Sequence, residues 1–167
     1  MDQPIFRAGE VLEMAVEVEG QGITFYEACK EHSNNPKAAE VFDFLIGQEK
    51  KHAEIFRGME SGLAEDYEVP ESYPGEMRRY MDSFVKDRIF EPPERASEHK
   101  EDLSDPFDVI PMAIRFEEKS VVFYSKLKDA VRESEGEVMD RIIRQEHSHI
   151  ERLLRLRDEL EREAEGK

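Results

Sequence analysis

VLEMAVEVEGQGITFYEACK, residues 11–30, recurs without a gap as VIPMAIRFEEKSVVFYSKLK, residues 109–128. Seven of the twenty aligned positions are identical at an offset of 98: Val11/Val109, Met14/Met112, Ala15/Ala113, Glu19/Glu117, Phe25/Phe123, Tyr26/Tyr124 and Lys30/Lys128. Downstream, QEKKH (48–52) matches QEHSH (145–149) at an offset of 97. An internal repeat takes precedence over local motifs, because each copy is a unit that must bury its apolar face against a neighbour. Each copy here carries apolar residues at three- and four-residue steps, and the alternating β-branched runs typical of strands are missing. The chain therefore reads as all-α, with one helical hairpin written twice.

The first hairpin is expected over residues 4–60. Its first helix runs from about Pro4 to His32, and SNNP then supplies an Asn cap with Pro36 at the first position of a helix reaching about Glu60. Residues 61–104 form a crossover. It opens with the polar, proline-bearing GLAEDYEVPESYP and carries a short amphipathic helix with Met77, Tyr80, Met81, Phe84 and Val85 on one side. It closes with the charged EPPERASEHKEDLSD. The second hairpin spans 105–163: one helix from Pro106 to near Glu133, a break at SEGE, and a last helix from about Val138 to Glu163. A chain of 167 residues suits one domain, 1–167, and the crossover is long enough to dock the hairpins as an antiparallel four-helix bundle.

The formal charge of −16, from 24 basic against 40 acidic residues, argues against nucleic-acid and anionic-membrane partners. No apolar run approaches the roughly 20 residues that cross a bilayer. The start MDQPIFRAGE lacks the basic-then-apolar order of a signal peptide, so a cytoplasmic location is expected. Cys29 is the sole cysteine, which removes disulfides, thiolate zinc sites and CxxC redox pairs. Any metal must be held by Glu, Asp and His.

With Glu at 29 of 167 residues, an isolated E-x-x-H says little. Position says more. The second helix reads Phe42, Leu45, Glu49, His52, Phe56, Met59 along its apolar stripe, and the fourth reads Ile142, Glu146, His149, Leu153, Leu156, Leu160. The first and third stripes, Leu12, Ala15, Glu19, Ile23, Tyr26 and Ile110, Ala113, Glu117, Val121, Tyr124, are each interrupted by one Glu. A bundle brings these six polar residues towards one interior point. Four carboxylates there would repel one another and cost several kcal/mol of desolvation per ion. Two divalent cations cancel that charge, and oxygen plus imidazole donors suit iron, manganese or zinc. Tyr26 and Tyr124 follow their Glu by seven residues, two turns along one face, as hydrogen-bonding supports to a ligand carboxylate or as plain aromatic core.

Four Glu with two E-x-x-H histidines is the known dinuclear pattern of ferritin-like bundles. Through AVEVEGQGITFY, QEKKH, AIRFEEKSVVFY and QEHSH the sequence resembles the rubrerythrin-like branch of that superfamily, over all four main helices but not the crossover. The resemblance implies two iron ions, with Glu49 and Glu146 bridging, Glu19 and Glu117 terminal, and His52 and His149 each on one metal. It further implies reduction of hydrogen peroxide or dioxygen, with an external electron donor, since no rubredoxin-type CxxC module is present. A homo-oligomer is expected, a dimer first. The four Glu are the candidate catalytic residues.

The family pattern has an extra ligand Glu three residues after the helix-three Glu, where this chain has Ser120, matched by Gly22 in the first repeat. Small residues there either leave room for an oxidant or signal weak peroxidase chemistry. The alternative functions are iron sequestration or delivery, zinc holding, and a purely structural helical role. Glu17 and Glu118 should be solvated, His147 should lie on the surface, and Cys29, paired with Leu127 in the repeat, should behave as a buried apolar residue. His32 and His99 receive no role.

Overall fold

The computed structural model describes residues 7–62, 79, 83, 89–99, 102–129 and 131–166. Four long helices carry the fold: α1 (Ala8–His32), α2 (Pro36–Ser61), α3 (Pro106–Lys128) and α4 (Gly136–Glu165). No β-strand occurs among the described residues, so the all-α expectation holds. α1 packs along α2 and α3 along α4, and the two hairpins close on each other as an antiparallel, ferritin-like bundle.

The caps show why the elements begin where they do. Asn35 Oδ1 accepts from the backbone N–H of Lys37 at 2.9 Å and of Ala38 at 3.4 Å, with Pro36 at the first helical position. Asp105 does the same for α3, accepting from Phe107 N–H at 2.9 Å ahead of Pro106. α1 begins at Ala8 rather than near Pro4: Arg7 is extended, and its N–H donates to Glu10 at 2.8 Å. α3 ends at Lys128, short of the expected Glu133. Asp129 caps it, Arg132 is extended, and residues Glu133–Glu135, which overlap the start of SEGE, form a 3-10 turn that feeds directly into α4.

The expected crossover helix at residues 77–85 lies outside the described residues, apart from Arg79 and Ser83, both helical. The end of the crossover packs against the first hairpin. A 3-10 segment, Pro93–His99, packs on α1, and a second, Asp102–Ser104, is tied to the α1–α2 turn. Ser33 Oγ donates to Leu103 O at 2.7 Å and Asn35 Nδ2 to Ser104 O at 2.7 Å, so the first hairpin's turn fixes where α3 starts.

The buried apolar residues form two clusters. One contains Phe25, Tyr26, Phe42, Leu45, Phe116 and Leu153, and the other Leu12, Met14, Phe56, Tyr124, Met139 and Ile142. Along every helix the chain passes from one cluster to the other across Glu19, Glu49 with His52, Glu117, or Glu146 with His149. A polar layer thus crosses the middle of the core. Ile23 and Val121, expected on the inner stripes, are only half-buried; the fully inward positions one turn after each Glu are Gly22 and Ser120.

The repeat also places one ion pair per hairpin, Lys30 with Asp43 at 2.6 Å and Lys128 with Asp140 at 2.6 Å. These pairs are largely exposed, so each contributes at most about 1 kcal/mol and their use is to align the helices. The Asn35 cap matters more. Asn35→Ala is expected to lower unfolding free energy by about 1 kcal/mol, read as a shift in the urea midpoint. An unchanged midpoint would mean that the cap contributes nothing to stability.

Candidate metal centre

The structure brings all six expected residues into one layer. Glu19, Glu49, His52, Glu117, Glu146 and His149 are each at most 2 % exposed, although charged side chains are rarely buried at all. Each histidine reaches both hairpins. His52 Nδ1 lies 3.6 Å from Glu19 and 3.5 Å from Glu146, while His149 Nδ1 lies 3.1 Å from Glu117 and 3.6 Å from Glu49. The two imidazoles meet edge to face, with ring centroids 4.8 Å apart. In two sets, Glu19 with His52 and Glu146, and Glu49 with His52 and His149, one donor atom from each residue lies within 4.8 Å of the others.

What these atoms lack is partners. Glu19 Oε2, Glu49 Oε1, Glu117 Oε1, Glu146 Oε1, His52 Nδ1 and both nitrogens of His149 are buried without a hydrogen bond. An unsatisfied buried polar atom costs about 1–3 kcal/mol, more for a charged group, so their convergence needs a complement. Six inward donors of oxygen and nitrogen fit divalent cations. The residues therefore suit divalent metal.

Electrostatics within the protein alone reflect the same strain. Burial, and then the neighbouring carboxylates of Glu117 and Glu19, push Glu49 well above the usual carboxyl range. Glu146 is raised in the same way, by burial and then by Glu19 and Glu117. Burial is the largest influence on Glu117 and raises it, but His149, His52 and a hydrogen bond with Glu146 together outweigh it and hold that carboxyl lower. Without a cation, burial thus works against the charge on at least two of the four carboxyls.

Tyr26 and Tyr124 are fully buried, and neither hydroxyl makes a hydrogen bond. Burial raises both phenols, and the carboxylates add to it: Glu117 first for Tyr26 and Glu19 first for Tyr124, each from the opposite hairpin. Glu17, Glu118 and His147 are exposed as expected, and Cys29 is buried in the apolar core with its thiol pushed up to about 12 by burial.

The surroundings of three positions go beyond the sequence reading. Ser120 is buried, its Oγ donating to Phe116 O at 3.3 Å on its own helix. The room that a small residue could have left at Gly22 is filled. A β-carbon there would stand 2.9 Å from Cζ of Phe90, whose ring arrives from the crossover. The available signal was Gly22 itself, because glycine inside a helix costs about 1 kcal/mol against alanine and calls for a packing reason. Arg152 also reaches the layer's edge, donating to Oε1 of buried Gln48, the neighbour of Glu49, at 2.6 Å.

Comparison with known proteins agrees with the geometry. A family model described as Rubrerythrin matches residues 10–156, a span that contains all six residues of the polar layer. Neither a curated protein nor a solved structure gives a match. The model covers most of the chain, and the chain belongs to the rubrerythrin family.

Proposed function

We propose that this protein holds two iron ions in the polar layer and reduces hydrogen peroxide or dioxygen with electrons from an external donor. The observation that carries this reading is the set of unpartnered donor atoms on Glu19, Glu49, His52, Glu117, Glu146 and His149, drawn from all four helices. Glu19 and His52 would hold one ion and Glu117 and His149 the other, with Glu49 and Glu146 shared between them, in keeping with the contacts each histidine makes across the hairpins. Four carboxylates and two neutral imidazoles around two divalent ions sum to zero charge, which removes the cost of burying them. Bound iron would supply the two electrons that peroxide reduction needs, and zinc or manganese fits the same donor set without changing the protein's part.

The chain's own contribution is placement. The apolar clusters on either side of the layer exclude water, the helices set the donor positions, and the buried phenols of Tyr26 and Tyr124 stand as neutral groups near the carboxylates. A second reading, metal holding without turnover, is favoured by Ser120. Its hydroxyl is committed to its own helix, so the extra family carboxylate is not replaced.

Two measurements test the proposal. Anaerobic loading with Fe(II) followed by hydrogen peroxide in a stopped-flow spectrometer is expected to give a fast near-ultraviolet rise in the native protein, lost in Glu146→Ala. Bound iron with no rise would support metal holding alone.

The second measurement uses the metal-free protein. Glu49 and Glu146 have folded pKa values above the unfolded value near 4.5, so their contribution to stability is complete below that pH. It is lost as pH rises through the folded values. Glu117, held low, acts in the opposite sense and loses its contribution only in acid. From about pH 5 to 8 the melting temperature of metal-free protein should therefore fall, and saturating divalent metal should abolish the fall. A metal-free protein equally stable across that range would refute the buried-charge account.

A further inference from the structure

The ring of Phe90 reaches from the crossover into the core beside the polar layer. It is 2 % exposed, packs edge-on against Tyr26 with centroids 5.6 Å apart and lies 5.2 Å from the ring of Phe116. Its tip touches the place where Gly22 has no side chain. These neighbours flank the site directly: Gly22 is one turn beyond Glu19 on the same face, and Phe116 immediately precedes Glu117.

The same ring lines a surface groove of about 470 Å³, together with Glu17, Gly20, Gln21, Thr24 and the stretch Glu91, Pro92, Pro93. The ring thus faces the groove on one side and, on the other, touches Gly22 and Phe116, which neighbour Glu19 and Glu117 in the chain. The backbone carrying that group is pinned. Glu91 pairs with His99 at 2.6 Å, Arg95 N–H donates to Pro92 O at 2.9 Å, and two prolines follow directly. The side chain has its own rotamers, however, and a ring opposite a glycine meets no Cβ as it turns.

The lining selects what could pass. Glu17 and Glu91 put acidic groups at the groove and disfavour anions. A phenyl floor disfavours hydrated cations, since it offers no oxygen to replace their water. Gln21 Oε1, buried without a partner, is an acceptor for a small molecule carrying an O–H.

We infer that Phe90 is the gate through which small uncharged molecules of the hydroperoxide or diatomic class reach the metal layer, and that its size sets which oxidants enter. The inference rests on the dinuclear reading above. Phe90 touches no reacting group in this account and acts by steric control alone.

The experiment compares native protein with Phe90→Ala and Phe90→Leu, each loaded anaerobically with Fe(II). Bound iron is counted first. Nitric oxide, an uncharged diatomic that binds Fe(II) without turnover, is then mixed in a stopped-flow instrument and its association rate read from visible absorbance. Hydrogen peroxide and tert-butyl hydroperoxide are compared in parallel. The expected result is unchanged iron content and nitric oxide association at least tenfold faster in Phe90→Ala, with Phe90→Leu between. The rate ratio of tert-butyl hydroperoxide to hydrogen peroxide should rise in the same order.

Equal nitric oxide rates and equal peroxide ratios in all three proteins, with iron bound, would overturn the gate and leave the metal reading intact. Failure of native protein to bind iron would overturn the metal reading and the gate with it. Should Phe90→Ala fail to fold, Phe90→Leu decides the question by itself, because its intermediate rate is then the prediction at stake.

Discussion

Four glutamates share the interior of this bundle, and no lysine or arginine is buried with them among the described residues. Two unit charges 4 Å apart interact by about 4 kcal/mol even at an effective dielectric constant of 20, so such a layer opposes folding unless something neutralises it. Against a net stability of about 5–15 kcal/mol for a typical domain, that opposition decides whether the chain folds. Protonation of Glu49 and Glu146 is one answer, and divalent cations are the other. The helices, the caps and the divided core all serve to hold this one arrangement in place.

The arrangement is assembled crosswise. His52 sits on the first hairpin and contacts Glu146 of the second; His149 sits on the second and contacts Glu49 of the first. Neither hairpin by itself holds a full set of donors. The repeated sequence makes two equivalent half-sites only because the hairpins pack antiparallel, which sets the two E-x-x-H turns against each other while each histidine keeps the lone Glu of its own hairpin. The Lys30–Asp43 and Lys128–Asp140 pairs repeat the symmetry at the surface. The crossover breaks it, since Phe90 stands against Gly22 while the equivalent Ser120 turns its hydroxyl to its own helix. That asymmetry gives the two flanks of the layer different chemistry.

Most of this was legible in the sequence, for a physical reason. A carboxylate in an apolar stripe is costly enough to be a signal, and four of them at matching repeat positions with two histidines identified the layer and the four helices before any coordinates. The Asn35 and Asp105 caps were legible because capping is local chemistry. Less legible was the turn of the inner stripe: Ile23 and Val121 sit four residues after their Glu and Gly22 and Ser120 three, and both spacings fit a 3.6-residue period. The end of α3 was misjudged because Val131 extends the apolar pattern past the last helical residue, Lys128. Phe90 was invisible, because an aromatic in an irregular segment carries no periodicity to say what it packs against.

The central claim is that the layer is completed by two cations, and it can be counted. Metal-free protein would be titrated with Fe(II) under anaerobic conditions by calorimetry, in two buffers of different ionisation enthalpy, so that ion stoichiometry and proton release are both obtained. The account predicts saturation at two ions per chain with proton release on binding, since burial raises the carboxyls of Glu49 and Glu146 and the ions need them ionised. Saturation below two ions per chain, or binding without proton release at neutral pH, would contradict it.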